Sequence, residues 1–416
     1  RVLLHQGMNR PTSPREWRQY DLVVTTYGTL LQDQSLFQTA KFQFLILDEA
    51  QQIKQSRTQR AKIVKKIKAR QRIALSGTPV ENRTLELWSL MDFLMPRYLG
   101  SRTWFQRIFA TPIERGKVPE VRDMLRHLIA PFILRRKKEE VEQELPERIE
   151  IEVPISMAAD QEVAYARTAQ FFKSRIRKQI LATGLSRSGP LVLEGLLRLR
   201  QVCTLPSAAN PEMKQVTSAK FDFLEQRIPE IVDENHRVLI FSQFTTVLDE
   251  ISELMTDLNI PFVSLRGSHS LKQRDKAVSS FQALSGPPVF LISLKAGGTG
   301  LNLTAADYVI IMEPWWNPAV EAQAIDRAHR IGQTRPVMVY RLIAKDTVEE
   351  KMMKIHAEKQ TLFKELIDQG RSLFETAGEE EILAFFDNDE DAYVGTGETL
   401  DSTQTAMRAR EMDTDS

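Results

Sequence analysis

Short, unbroken apolar runs recur in both halves of the chain, and they constrain its fold more than any other feature. The clearest lie at residues 44–47, 238–241, 289–292 and 308–312. Each has the length of a strand and is far too short to span a membrane. Stretches of helical character separate them, and buried strands that alternate with helices are typical of a parallel sheet covered on both faces. The chain is therefore predicted to be an α/β protein.

The first half of the chain is predicted to hold two more strands, at residues 22–26 and 73–75, and a helix rich in Lys and Arg over 61–72. Residues 85–145 and 155–205 are predicted to be mostly helical, with 149–154 as a short extended linker between them. One apolar stripe in the second helical region is interpreted as core: Leu191, Leu193, Leu196, Leu197, Leu199 and Val202.

The second half continues the strand–helix series, with strands predicted at 262–265 and from residue 337, then a charged amphipathic helix over 346–369. With 416 residues, 42% of them hydrophobic, the chain can bury a full core in two or three domains. The net charge is only +1, so a basic surface for nucleic acid must be local. The single cysteine, Cys203, excludes an internal disulfide framework and thiolate zinc clusters.

Acidic and hydroxyl side chains follow two of the predicted strands. In a parallel sheet, ligands bind outside the carboxyl ends of the strands. Asp48 and Glu49 follow the run at 44–47, and Ser76, Gly77 and Thr78 follow the next strand along the chain. One carboxylate of such a pair can hold Mg²⁺ and its neighbour can activate a water molecule, although an ordinary turn is the alternative.

A pair of arginines lies late in the chain, in a segment that is predicted to be helical. Asn317 followed by Pro318 indicates the start of this helix, and Gly332 offers a place to leave it. Arg327 and Arg330 are three residues apart and are predicted to share one face. Two guanidiniums aimed at one place suit the charge on a transferring phosphoryl group, whereas the alternative is a solvated basic helix.

A glycine-rich stretch follows the strand at 289–293. The segment Lys295-Ala-Gly-Gly-Thr-Gly300 is not a P-loop, because no Gly-Lys-[Ser/Thr] follows it. Its glycines are interpreted as letting the backbone approach a ligand or another domain closely.

Taken in order, these segments resemble motifs II to VI of superfamily-two helicases, and more narrowly the Swi/Snf family of ATP-driven double-stranded-DNA translocases. The motifs are Leu47-Asp-Glu-Ala-Gln51, Ser76-Gly-Thr-Pro-Val-Glu-Asn82, Phe241-Ser-Gln-Phe244, Ser293-Leu-Lys-Ala-Gly-Gly-Thr-Gly-Leu-Asn-Leu303 and residues 323–333. Family-specific stretches agree: Leu85-Glu-Leu-Trp-Ser-Leu-Met-Asp-Phe93, Pro131-Phe-Ile-Leu-Arg-Arg-Lys137, Leu197-Arg-Leu-Arg-Gln201, Ser218-Ala-Lys220 and Pro314-Trp-Trp-Asn-Pro318. The resemblance covers about residues 1–370.

The resemblance implies two RecA-like, doubly wound parallel-sheet lobes with helical insertions, with ATP between the lobes and DNA crossing both. Asp48 and Glu49 would form the Mg²⁺ site, with Glu49 positioning the attacking water. Arg330 would act as the arginine finger beside Arg327. The implied nucleotide-binding residues are Asp48, Gln323, Arg327, Arg330 and Gly300.

The resemblance also implies residues that contact DNA and residues that couple ATP hydrolysis to movement along DNA. Backbone and hydroxyl contacts to phosphate read no sequence, which suits a motor that ignores sequence. The implied nucleic-acid contacts are Gly267, Ser293, Lys295, Gly298, Thr299, Arg135 and Arg136, and the implied coupling residues are Ser76, Gly77 and Thr78.

The chain departs from the family pattern in two places. Only 47 residues precede Asp48 and none of them contains Gly-Lys-[Ser/Thr], so the first lobe is expected to be truncated. Gln51 stands where many relatives have His, which is interpreted as a tolerated variant. The expected domains are 1–84, the end of the first lobe; 85–148, its helical insertion; 149–215, a linker and helical insertion; 216–345, the second lobe; 346–374, a C-terminal helix; and 375–416, an acidic, partly disordered tail.

The predicted function is ATP-dependent translocation on double-stranded DNA to remodel or displace DNA-bound proteins, with ATP and Mg²⁺ as cofactors. The alternatives are a catalytically incomplete binding module and, less favoured by the family-specific stretches, a strand-separating helicase. RNA polymerase or another DNA-bound protein is the expected partner of a monomer, and no membrane association is expected. The location would be the cytoplasm and nucleoid of a bacterium or the nucleus of a eukaryote.

Overall fold

The computed structural model describes residues 1–77, 84–114, 118–134, 136, 145–297, 301–315, 318–358 and 379–387. The chain divides into two compact units, Arg1–Val141 and Glu142–Ser416. Strands and helices alternate in both units and every strand pair is parallel, which confirms the α/β prediction. Among the described residues, no helix combines the length and apolarity that crossing a membrane requires.

The first unit contains two pairs of strands: β1 (Val2–His5) with β2 (Leu22–Thr25), and β3 (Lys41–Leu47) with β4 (Lys68–Ala74). Its described helices are α1 (Tyr27–Gln32), α2 (Gln34–Thr39), α3 (Gln59–Lys66), α4 (Thr84–Leu94), α5 (Arg102–Phe105), α6 (Thr111–Glu114) and α7 (Pro119–Ile129).

Two apolar clusters hold the first unit together. One packs α2, α3 and α4 against β3 through residues that include Phe37, Leu47, Val64 and Phe93. The other lies within the helical part of the unit and is built on aromatic side chains such as Phe105 and Phe109. The carboxyl ends of β3 and β4 rest on the first cluster, which gives the residues that follow them a fixed base.

The helix predicted over 61–72 is wrong in its second half. Helix α3 ends at Lys66, and residues 68–74 form β4. The guanidinium of Arg72 donates to the carbonyls of Lys65, Ile67 and Phe93 at 3.2, 3.0 and 2.7 Å. These tertiary bonds and the pairing with β3 outweigh the helical propensity of a Lys- and Arg-rich segment.

The second unit is built on one parallel sheet of six strands in the order β5-β10-β9-β6-β8-β7. The strands are β5 (Arg148–Ile155), β6 (Val238–Ser242), β7 (Phe262–Leu265), β8 (Val289–Ser293), β9 (Tyr308–Ile311) and β10 (Val337–Ala344). Its described helices are α8 (Ala159–Thr183), α9 (Gly189–Thr204), α10 (Pro206–Ala209), α11 (Ala219–Asp233), α12 (Thr245–Asp257), α13 (Leu271–Gln282), α14 (Leu294–Gly297), α15 (Pro318–Ile325), α16 (Val348–Glu358) and α17 (Glu379–Leu383).

Both faces of this sheet are covered. Along β6, Val238 and Ile240 belong to the apolar cluster on one face, whereas Leu239 and Phe241 belong to the cluster on the other. All four are fully buried. This alternation is why the strand is an unbroken apolar run, and it confirms the doubly wound arrangement in this unit.

Residues 149–154 do not form the predicted linker. They belong to β5, which pairs with β10 along its whole length, from Arg148 beside Val337 to Ile155 beside Ala344. Charged residues alternate with apolar ones in β5, and Pro154 lies within it. Both features suit a strand at the edge of a sheet.

A helical layer formed by α8, α9 and α16 completes the second unit. The leucine stripe of α9 lies in its core, as predicted, although Leu197 is 42% exposed. The chain returns to this layer at residues 379–387, where Phe386 packs against Gly195 so closely that a Cβ there would meet the ring at 2.7 Å.

Candidate active site

The carboxyl ends of β3 and β4 bring several predicted residues together in the first unit. The two strands are parallel neighbours with Leu47 beside Ala74. Two main-chain bonds continue the pairing beyond the strands, from Leu75 N to Leu47 O and from Ala50 N to Leu75 O, both 2.8 Å. Asp48 and Glu49 therefore lie next to Ser76, in accordance with the expected edge of a parallel sheet.

The carboxylate pair has a distinctive backbone. Glu49 adopts the left-handed conformation, with φ 49° and ψ 50°, and its N–H donates to Asp48 Oδ1 at 2.9 Å. A non-glycine residue in this region stores of order 1 kcal/mol of strain, and such positions cluster at functional sites. Asp48 is exposed and Glu49 is half-buried.

Gln51 joins the two strand ends through its side chain. Its Nε2 donates to Glu49 Oε2 at 2.5 Å, and its Oε1 accepts from Ser76 Oγ at 2.9 Å. The amide therefore connects the carboxylate to the hydroxyl of the next segment. From the sequence, Gln51 was only a tolerated variant, because nothing local indicates what its two ends contact.

Tyr27 is a second residue that sequence reasoning missed. It begins helix α1, which is capped by Thr26, and its hydroxyl donates to Asp48 O at 3.0 Å. Burial, together with the nearby Asp48 and Glu49, raises the pKa of Tyr27 to about 12. The phenol therefore stays protonated and supports the turn that carries the carboxylates.

The chemistry of this pair fits a magnesium ion. Mg²⁺ usually takes one or two carboxylates from the protein and completes its shell with water and phosphate oxygens. Asp48 is solvent-exposed at a strand end, and Glu49 lies beside it. Within the described ranges, no group of three or more His, Cys, Asp or Glu could hold a metal ion alone. The pair would thus need ligands from a bound nucleotide and water.

In the second unit, the predicted arginine helix is wrong after Ile325. Helix α15 ends there, and residues 326–332 form consecutive turns. The carbonyl of Arg327 leaves the helix pattern to accept from Leu303 N at 2.9 Å. Gly332, with φ 98°, ends the segment. Arg327 and Arg330 therefore do not share a helix face.

The two arginines have different surroundings. Arg327 is 2% exposed, which rules out a solvated basic helix. Arg330 is half-buried, and its Nη1 donates to Leu301 O at 3.2 Å. Of the two, Arg330 is thus the one whose side chain reaches solvent.

Gln333 shapes this segment, and the sequence did not single it out. Its Nε2 donates to the carbonyls of Thr304, Ala306 and Ala328 at 3.3, 2.7 and 3.2 Å. Its Oε1 accepts from the N–H groups of Thr334 and Arg335. The arginine-bearing turns are thereby fastened to the loop that follows residue 300.

A buried polar network supports the carboxyl ends of β6 and β9. Glu313 accepts from Ser242 Oγ and Gln243 N at 2.8 and 3.1 Å, and burial raises its pKa to about 7. Lys220 donates to Glu349 at 2.6 Å, with both side chains fully buried. Arg200, from α9, joins the network by donating to Gln243 Oε1 at 3.1 Å and Pro314 O at 2.6 Å.

The remaining predicted site residues differ in their exposure to solvent. Gln323 lies half-buried on α15, and Gly267, Gly77 and Arg136 are exposed. Ser293 is only 5% exposed, and its Oγ has no hydrogen-bond partner among the described residues, so this hydroxyl does not face solvent. Thr78, Arg135, Gly298, Thr299 and Gly300, together with the side chain of Lys295, lie outside the described residues.

Two family models match the chain. The SNF2-related domain matches residues 1–208, and the helicase conserved C-terminal domain matches residues 219–332. An uncharacterized ATP-dependent helicase of Mycoplasma pneumoniae is 36% identical over 88% of this chain. The human TATA-binding protein-associated factor 172 is 33% identical over 94% of it. The chain spans 35% of the first relative's length and 24% of the second's.

Among solved structures, the chain is similar to the Sulfolobus solfataricus SWI2/SNF2 ATPase core in complex with double-stranded DNA. It is 34% identical, with a TM-score of 0.47, and the match covers 91% of this chain and 80% of that one.

Proposed function

The chain belongs to the SNF2-related family, and on that premise we propose that it takes part in ATP hydrolysis that drives movement along double-stranded DNA. The observation that carries the proposal is the contact from Ser76 through Gln51 to Glu49. This contact connects the carboxylate of Glu49, which would orient the attacking water, to the segment that follows β4. ATP and Mg²⁺ are the proposed cofactors.

In the first unit, Asp48 would hold Mg²⁺ and Glu49 would orient the water. Magnesium supplies neutralisation of charge on the phosphate oxygens. Glu49 is suited to its role because the bond from Gln51 Nε2 fixes the orientation of its carboxylate beside Asp48. The proposed coupling residues are Ser76, Gly77 and Thr78, which would transmit changes in nucleotide binding at this site to the rest of the unit.

In the second unit, Gln323, Arg327 and Arg330 would bind the phosphates, with Gly300 beside the nucleotide. Arg330 is the proposed finger, since its guanidinium donates to the carbonyl of Leu301 and is partly exposed. Arg327 is buried and would shape the turn as well as contribute charge.

DNA would contact backbone and basic groups without reading sequence. The proposed contacts are Gly267, Ser293, Lys295, Gly298, Thr299, Arg135 and Arg136. Ser293 would act through its backbone, because its hydroxyl is buried. A DNA-bound protein is the proposed target of the motor, with RNA polymerase as one such target, and the motor is proposed to act as a monomer.

The test is ATP turnover by the full-length protein with and without linear duplex DNA. We expect stimulation by duplex DNA and displacement of a triplex-forming oligonucleotide from it. Glu49→Gln should abolish turnover while ATP still binds. Duplex DNA that binds tightly without accelerating hydrolysis would instead indicate a non-catalytic module. Separation of the duplex strands would indicate an unwinding helicase.

A further inference from the structure

The first described residues of the second unit lie against the arginine-bearing turns. His329 Nε2 is 2.7 Å from Pro146 O. A carbonyl can only accept, so this nitrogen carries a hydrogen and donates it. Three residues before His329, Asp326 faces Arg148, with 3.7 Å between Oδ1 and Nη1. Two residues, Pro146 just before β5 and Arg148 at its start, thus contact this segment, and Pro146 is 183 positions away from His329.

Charged side chains extend this contact across the sheet to helix α15. Arg148 pairs with Glu150 at 2.6 Å, and Glu150 pairs with Arg341 of β10 at 2.5 Å. Arg341 in turn pairs with Glu321 of α15, whose Oε2 accepts from Trp315 N at 3.2 Å. The helix that precedes the arginines and the strand at the edge of the sheet are therefore one connected polar assembly.

The turns at 326–332 depend on such outside support. Short-range main-chain bonds form there, such as Arg327 N to Ala324 O and Gln333 N to Arg330 O, and Arg327 O accepts from the distant Leu303 N, in place of a continued helix. Their shape is set by side chains that reach other segments. His329 lies immediately before Arg330, so the contact with Pro146 O acts on the residue next to the proposed finger.

We propose that the start of β5 positions Arg330, with His329 as the positioning residue; this inference rests on the proposed ATPase function. The carbonyl that His329 holds belongs to the segment that leads into β5, so a shift of this segment would act on the residue next to Arg330.

The size of the effect follows from the contact. One hydrogen bond contributes about 1 kcal/mol, which corresponds to roughly fivefold in rate, and a misplacement of about 1 Å in an active site lowers the rate by about 10²-fold. His329→Ala should therefore lower kcat by about 5- to 100-fold, with the KM for ATP within about twofold of wild type.

The experiment compares His329→Ala with His329→Gln in the full-length, DNA-saturated protein. The Gln amide can place a donor where Nε2 lies, so it should restore most of kcat. The matched control is His127→Ala, since the ring of His127 is exposed and contacts only a carbonyl of its own helix among the described residues. A wild-type kcat in His329→Ala, or no recovery in His329→Gln, would overturn the proposal.

Hydrogen–deuterium exchange gives a second measurement that needs no activity. Exchange in residues 326–333 should rise in His329→Ala and in the milder variant Arg148→Ala, which removes a surface side chain and is expected to fold. Unchanged exchange in both would reject the positioning role. An inactive wild-type protein with faster exchange in the variants would reject the proposed function alone.

Discussion

Replacement of Gln51 by Ala is the sharpest test of the site in the first unit. The amide of Gln51 links Glu49 to Ser76, because its Nε2 donates to Glu49 and its Oε1 accepts from Ser76. Alanine removes both bonds without adding charge or bulk. Glu49 then keeps its strained left-handed backbone but loses the hydrogen bond that Gln51 donates to its carboxylate.

The magnitude can be worked from the two bonds. A hydrogen bond to a charged group contributes about 1.5–3 kcal/mol, and a neutral one about 1 kcal/mol. If the bond to Glu49 matters only while water attacks the phosphorus, its loss lowers kcat by about 10- to 150-fold. Loss of the bond to Ser76 should instead reduce the stimulation of ATP hydrolysis by DNA. ATP affinity should change by less than about threefold.

The assay is steady-state ATP hydrolysis over a range of ATP and duplex DNA concentrations. Gln52→Ala is the matched control, because Gln52 belongs to the same helical turn, is exposed, and contacts Arg60 instead. Gln51→His should recover activity at pH 8, since a neutral imidazole can donate from one nitrogen and accept at the other. If Gln51→Ala behaves like Gln52→Ala, the proposed link has no catalytic role.

Three further predictions concern the second unit. Arg330→Ala should lower turnover by roughly 10³-fold and leave ATP binding mostly intact, and a parallel loss of binding would contradict the finger role. Because burial raises the pKa of Glu313 from 4.5 to about 7, the folded protein binds this proton more tightly than the unfolded chain. Stability should therefore fall as the pH rises from about 4.5 to about 7, and urea titrations of Glu313→Gln should lack that component. Lys220→Met leaves Glu349 buried without its cation and should cost about 3–5 kcal/mol of unfolding free energy, whereas Lys220→Met combined with Glu349→Leu should recover much of it.

Local patterns in the sequence determined much of the architecture. Buried strands with helices on both faces must be continuous apolar runs, so 238–241 and 289–292 could be recognised as central strands. Polar residues directly after such a run lie at the carboxyl end of the strand, and this position follows from local sequence order. The positions of Asp48 and Ser76 at the carboxyl ends of strands therefore followed from the sequence, and the pairing of β3 with β4 makes them neighbours.

The tertiary structure decided the features that depend on distant partners. Residues 326–332 have a helical pattern, yet they form turns because Leu303, Pro146 and Gln333 offer bonds that a helix would forgo. Residues 149–154 became a strand because β10 lies beside them. The sequence alone could single out the arginines and carboxylates as candidate site residues. Their orientation comes from hydrogen bonds between segments far apart in the chain, and the local periodicity of apolar residues does not indicate such bonds.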